Sequence, residues 1–193
     1  MAKDLSHDRI ARVARHAVFS SQFAAGEALR EQSLAEHFGI SRGPIRDALL
    51  QLTQEGLLIA EQHRGVRVRH PDVGIRPLVV ELRRQVEGFA LERLCENGGD
   101  LDFMELNLER FSAACKSGDM VEVVEYDMAF HRYIVEQGGR DLVAIWVPVI
   151  THMMLPYSRH KDLMESYEEH RAIVVALRAG DAKTALERLW TNI

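Results

Sequence analysis

Few cysteines, no long apolar run, no net positive charge and no nucleophile motif mark this 193-residue chain, and each shortage excludes a class. Two cysteines, Cys95 and Cys115, cannot build the disulfide framework of a secreted domain. Both are expected to be small core residues. No apolar leader opens the chain, so a reducing cytoplasm is the expected setting. No stretch reaches the roughly 20 apolar residues that span a bilayer, and no membrane partner is expected. The most apolar segment, residues 142–155, contains His152 and reads as a buried helix. The absence of a nucleophile paired with a base argues against an enzyme.

Charge is uneven. Ten Lys/Arg against nine Asp/Glu leave +1 up to Gly74, and 14 against 20 leave −6 beyond it, which gives the net −5. Only the first part tolerates a polyanion, and only locally, so each head should bind modestly and need a dimer.

The first part carries the most informative pattern. Leu34, Ala35 and Phe38 make one apolar face of a short helix, with small Ala35 leaving room for a crossing helix. Gly39 suits a left-handed helix end. Ile40 tucks under the turn, Ser41 can cap a second helix, and Pro44 falls in its first turn. That helix buries Ile45, Ala48, Leu49 and Leu52. Arg42, Gly43, Arg46 and Asp47 are left on the other face near its N-terminus, where a helix-turn-helix meets bases and phosphates. Residues 58–60 and 66–68 then form a hairpin around a polar loop ending at Gly65. Arg64, Arg67 and Arg69 put positive charge along it. Helix-turn-helix and hairpin together predict a winged helix that binds double-stranded operator DNA.

These residues resemble the winged-helix domain of GntR-type bacterial regulators. The resemblance is carried by Gly26-Glu27-Ala28-Leu29, Leu34-Ala35, Gly39-Ile40-Ser41-Arg42, Pro44-Ile45-Arg46-Asp47-Ala48-Leu49, Glu55-Gly56-Leu57 and Arg64-Gly65-Val66. It implies Arg42 and Arg46 as main DNA contacts, Ser41 and Gly43 beside the backbone, and Gly65 at the wing tip.

The predicted organisation is a DNA-binding domain over residues 1–70, a linker over 71–75 and an all-helical domain over 76–193. His70, Pro71 and Gly74 mark the boundary. Apolar spacing and Gly or Asp punctuation divide the second part into six helices, with Asp119 and Asp181 as caps. The fold class is thus mainly α, a winged helix-turn-helix followed by a six-helix bundle.

Within the bundle, Asp127 and His131 share one helix face, and carboxylate plus imidazole suits Zn²⁺ or another first-row divalent ion. Taken alone, the pair reads more simply as a surface ion pair or a core histidine. His170, on another apolar-periodic helix, is the further histidine a site would need. The bundle resembles the FCD effector domain of the FadR subgroup of GntR regulators, in the shorter VanR-like branch. Its landmarks are residues 81–87, Asp127-Met128-Ala129-Phe130-His131, Glu169-His170, Ala176-Leu177 and Gly180-Asp181. That resemblance implies a homodimer holding a divalent metal ion (Zn, with Ni or Mn as alternatives) through Asp127, His131, His170 and a final histidine. Asn192 stands at that last place. A small organic acid effector is implied beside the metal. Arg83 is the candidate carboxylate clamp, with a salt bridge to Glu87 as the competing role. The expected function is a metabolite-responsive repressor on a pseudo-palindromic operator. The alternative is a regulator whose bundle only dimerises, without metal or effector.

Overall fold

A computed structural model describes residues 23–54, 56–61, 65–70, 73–151 and 162–193. It divides between Val73 and Gly74 into two compact units.

The first unit holds β1 (Ala28–Leu29), α1 (Glu31–Phe38), α2 (Arg42–Gln54), β2 (Leu58–Glu61) and β3 (Gly65–Val68). The α1 helix stops at Gly39, whose φ of 65° is left-handed, and Ile40 N–H then closes the turn on the Ala35 carbonyl. The four apolar residues expected from α2 are all buried, packed with Leu29, Leu34, Leu57, Leu58 and Val68. Leu52 and Leu57 are wholly excluded from water, each contributing on the order of 1.5–3 kcal/mol of transfer free energy. The hairpin pairs Leu58 with Val68 and Glu61 with Gly65 in antiparallel register. The sequence gives no sign of β1, a two-residue strand that pairs with β3 and makes the sheet three-stranded in the order β1-β3-β2. Gly65 has a φ of 88°, and a Cβ there would lie 3.3 Å from the Leu29 carbonyl oxygen, so the wing needs glycine for both turn and fit.

The second unit follows a 3₁₀ turn at Val73–Ile75. Its described helices are α3 (Arg76–Asn97), α4 (Leu101–Ser117), α5 (Met120–Glu136), α6 (Arg140–Thr151), α7 (Leu163–Arg178) and α8 (Ala182–Asn192). Aspartates cap four of them. Asp100, Asp119, Asp162 and Asp181 each accept a hydrogen bond from one or two first-turn N–H groups. Such a cap is worth about 0.5–2 kcal/mol. The α3 helix packs on α5, α6 and α8, while α4 packs on α5 and α7. Met104, Phe111, Phe130, Ile134, Ile173 and Leu189 fill the common core.

Two expectations change. Cys95 is exposed and only Cys115 is buried, because the core face of α3 runs through Ala90, Leu91 and Leu94 instead. Residues 142–155 are not a uniformly buried helix. The α6 helix buries Trp146 and Ile150 but leaves Ile145 57% and Val147 37% exposed; residues 152–161 lie outside the described set. The apolar positions of α3 likewise divide, with Val79, Ala90 and Leu94 inside and Leu78, Leu82 and Phe89 on the surface. Among the described residues, no helix is long and apolar enough to cross a membrane.

Candidate DNA-reading face and metal site

On the first unit, Arg42 and Arg46 occupy the first and second turns of α2, on one exposed face. Both meet Glu31, the first residue of α1. Arg46 Nε and Nη2 donate to the two Glu31 carboxylate oxygens at 2.9 and 3.0 Å, and Arg42 Nη2 donates at 3.3 Å. Arg46, then burial acting the other way, then Arg42 set the Glu31 carboxyl, which ends below its ordinary range. Ser41 and Gly43 flank Arg42 on the surface. On the hairpin, Arg67 donates through Nε and Nη2 to Glu61 at 2.9 and 3.1 Å, and through Nη1 to the Gly26 carbonyl at 2.5 Å. Arg67 therefore ties strand to loop, a structural role the sequence did not disclose. Arg64 lies outside the described residues, and Gly65 sits at the turn. A cleft of about 780 Å³ runs between α2 and the hairpin, lined by Glu31, Arg42, Arg46, Glu61, Gly65 and Arg67 among others.

In the second unit, Asp127 and His131 from α5 meet His170 from α7. One ligand atom of each falls within 4.8 Å of the others. The setting is apolar. Phe111 and Phe130 pack edge-on against the His170 ring at 5.0 and 4.8 Å, and the His131 ring lies 5.2 Å away. Hydrogen bonds fix both imidazoles. His170 Nδ1 is 2.7 Å from the Ser166 carbonyl, which only accepts, so Nδ1 carries hydrogen and Nε2 is the ligand atom in the neutral ring. His131 Nδ1 is 2.7 Å from Glu87 Oε2, which leaves its Nε2 as the ligand atom.

The orphaned atom is informative. His170 Nε2 lies 3.2 Å from Asp127 Oδ1, yet it is buried and has no hydrogen-bond donor or acceptor in bonding geometry among the described residues. A lone pair facing a carboxylate in a dry site is unfavourable unless a cation or proton lies between them. Burial opposes ionisation of Asp127, but His170, His131 and Arg83 hold its carboxyl well below the usual range. An ionised carboxylate and two oriented imidazoles fit a first-row divalent ion.

Glu87 is the hub behind this group. It is wholly buried and accepts from Arg83 Nε at 2.6 Å, Arg83 Nη2 at 3.3 Å, His131 Nδ1 at 2.7 Å and Trp146 Nε1 at 2.7 Å. Burial alone would raise its carboxyl; Arg83 and His131 reverse that and hold it at about 2. Arg83 is thus engaged as the i,i+4 ion pair, while its charge also reaches Asp127. Asn192 is buried, but its amide nitrogen contacts Glu169 at 3.1 Å and the Nδ1 edge of His170 at 3.3 Å. That edge is opposite the Nε2 atom that faces Asp127.

Comparisons with known proteins follow the same division. Residues 7–68 match the model described as bacterial regulatory proteins, gntR family, and residues 78–193 match the FCD domain. The chain is 29% identical over 122 residues to the "Uncharacterized HTH-type transcriptional regulator YdhC" of Bacillus subtilis (strain 168). That match covers 62% of this chain and about half, 54%, of that protein. It is 28% identical over 197 residues to the gluconate operon transcriptional repressor of Bacillus licheniformis, covering 95% of this chain and 80% of the relative. Among solved structures, E. coli McbR/YncC shares the fold with a TM-score of 0.72 at 21% identity, over 96% of this chain and 92% of the other.

Proposed function

The chain belongs to the gntR family of bacterial regulatory proteins, with an FCD domain behind its DNA-binding head; from that premise we propose a metal-dependent, metabolite-responsive repressor. The family is one of transcriptional regulators, not enzymes. Arg42 and Arg46 are proposed to read base edges in the major groove, with Ser41, Gly43, Arg64, Gly65 and Arg67 setting the head against the backbone. Asp127, His131 and His170 are proposed to hold one divalent ion, Zn first among Zn, Ni and Mn. The ion would supply a Lewis-acidic centre with positions open to a small organic acid. Arg83, whose charge reaches Asp127, is the protein cation that the acid's carboxylate would meet. Asn192, whose amide lies at the Nδ1 edge of His170, is proposed to pack beside that ring rather than to ligate.

The observation carrying the metal reading is the buried His170 Nε2, which faces Asp127 Oδ1 at 3.2 Å without a hydrogen bond among the described residues. The exposed Leu78, Leu82 and Phe89 lie along one stripe of α3 and support a homodimer through the bundle, in a reducing cytoplasm. Two related heads then read a pseudo-palindrome. Effector binding would shift the equilibrium between arrangements of the heads and so operator affinity.

Two measurements test this. Selection of duplex fragments from the source genome should enrich a pseudo-palindrome, and no enrichment with or without added Zn²⁺ would sink the DNA reading. Metal analysis of the purified chain should find one divalent ion per protomer, lost in His170→Ala and Asp127→Ala. Equal metal content in parent and variants would favour the second reading, a bundle that only dimerises. The engagement of Arg83 by Glu87 is what keeps that reading in play.

A further inference from the structure

We infer that Glu31 is a positioning residue for DNA recognition, its carboxylate orienting the guanidinium groups of Arg46 and Arg42 and so governing which base pairs α2 distinguishes. This rests on the reading role proposed above for those arginines.

The geometry is specific. Glu31 opens α1, and its partners lie 11 and 15 residues on, across the turn. Arg46 is held by a two-pronged contact on its Nε/Nη2 edge. Both prongs fall on one side of the guanidinium, so Glu31 leaves the Nη1 group and the second Nη2 hydrogen unused. Two parallel N–H groups at that end are what guanine O6 and N7 accept. Arg42 leans on the same Glu31 oxygen that takes Arg46 Nη2. The side chains of Arg42 and Arg46 are 61% and 62% exposed, so nothing packs them into one rotamer; among the described residues, Glu31 supplies the hydrogen bonds that do. Fixing a long flexible side chain before binding reduces the ordering cost and sharpens discrimination.

Glu31 also opposes DNA binding by its sign. A carboxylate lining the cleft repels phosphates, so its removal should raise affinity for any duplex. Positioning and repulsion therefore move two observables in opposite directions. A bland role exists as well: an acidic first-turn residue stabilises α1 through the helix dipole. Aspartate keeps that role but is one methylene shorter and loses the two-pronged reach.

The test uses the full chain, the duplex enriched by the parent in selection, and a scrambled duplex of the same composition, read by fluorescence anisotropy at one salt concentration. Glu31→Gln should bind the scrambled duplex several-fold more tightly, while the ratio of selected to scrambled affinity falls roughly tenfold. Glu31→Asp should lose discrimination similarly without the gain on scrambled DNA. In an Arg46→Lys background, which leaves only the single Arg42 contact to orient, Glu31→Gln should lower the ratio far less than in the parent. An undiminished ratio in Glu31→Gln would show Glu31 to be only a repulsive charge. Parent-like discrimination in Glu31→Asp would show it to be only a dipole partner. Both results overturn the inference. If the parent enriches no duplex, the DNA reading fails first and takes this inference with it.

Discussion

An Arg46→Ala chain should fold as the parent does and lose sequence-specific DNA binding. The side chain is 62% exposed, so its removal costs only a surface ion pair, which contributes little to stability. Its proposed work is on the DNA, where one good bidentate arginine–guanine contact discriminates by about 1–3 kcal/mol. In the proposed dimer both copies go, so the selected duplex should weaken by roughly 100-fold or more, while the thermal midpoint of the first unit moves little. Arg67→Ala is the informative contrast. Arg67 spends its donors on Glu61 and the Gly26 carbonyl, so its loss should loosen the hairpin and lower the thermal midpoint along with the affinity. Anisotropy on selected and scrambled duplexes, with circular dichroism melting, separates the two. If Arg46→Ala keeps its discrimination, α2 is not the reading helix.

The residues of the first unit announced themselves because local rules agreed there. Gly39, Ile40 and the buried set of α2 follow from helix periodicity and one left-handed turn, all readable within 20 or so residues. The caps Asp119 and Asp181 were legible for the same reason. The features that escaped depend on partners distant in sequence. Ala28 and Leu29 carry no strand pattern of their own and become β1 only because β3 offers an edge at Val66 and Arg67. Glu31 looks like an ordinary first-turn acid until α2 folds across it. Glu87 pairs with Arg83 at a visible i,i+4 spacing, yet its burial follows from His131 and Trp146, 44 and 59 residues on. The candidate metal triad was half legible: Asp127 and His131 share a helix face, whereas nothing in local spacing ties His170 to them, and the bundle brings it there. Asn192 stands where the resemblance implies a final histidine. Its amide instead meets the far edge of His170.

Glu87 is where a single change should do most damage to the second unit. It is wholly buried with four N–H contacts from three residues, and Arg83 beside it is 6% exposed. Glu87→Ala strands a buried guanidinium and leaves the indole and imidazole N–H groups without an acceptor. Breaking a buried ion pair from one side costs about 3–5 kcal/mol, and each orphaned donor adds about 1–3 kcal/mol. Against a total stability of roughly 5–15 kcal/mol, that leaves the bundle near its unfolding threshold. Arg83→Met should cost less, because His131 and Trp146 still donate to the carboxylate. Combining Arg83→Met with Glu87→Gln should be milder than Glu87→Ala, since no charge is then buried alone and the new amide oxygen still accepts. Urea midpoints of the three variants check the order, and a harmless Glu87→Ala would refute the hub. Glu87→Gln alone addresses the metal. It keeps the shape and an acceptor for His131 Nδ1 but removes the negative charge that would make that imidazole a stronger ligand for the proposed ion. Loss of such an outer carboxylate typically weakens metal affinity about 10–100-fold. Zn²⁺ titration under conditions where the variant is fully folded should therefore show weaker binding at unchanged stoichiometry. Undiminished affinity would mean that Glu87 holds the bundle together and leaves the metal to Asp127, His131 and His170.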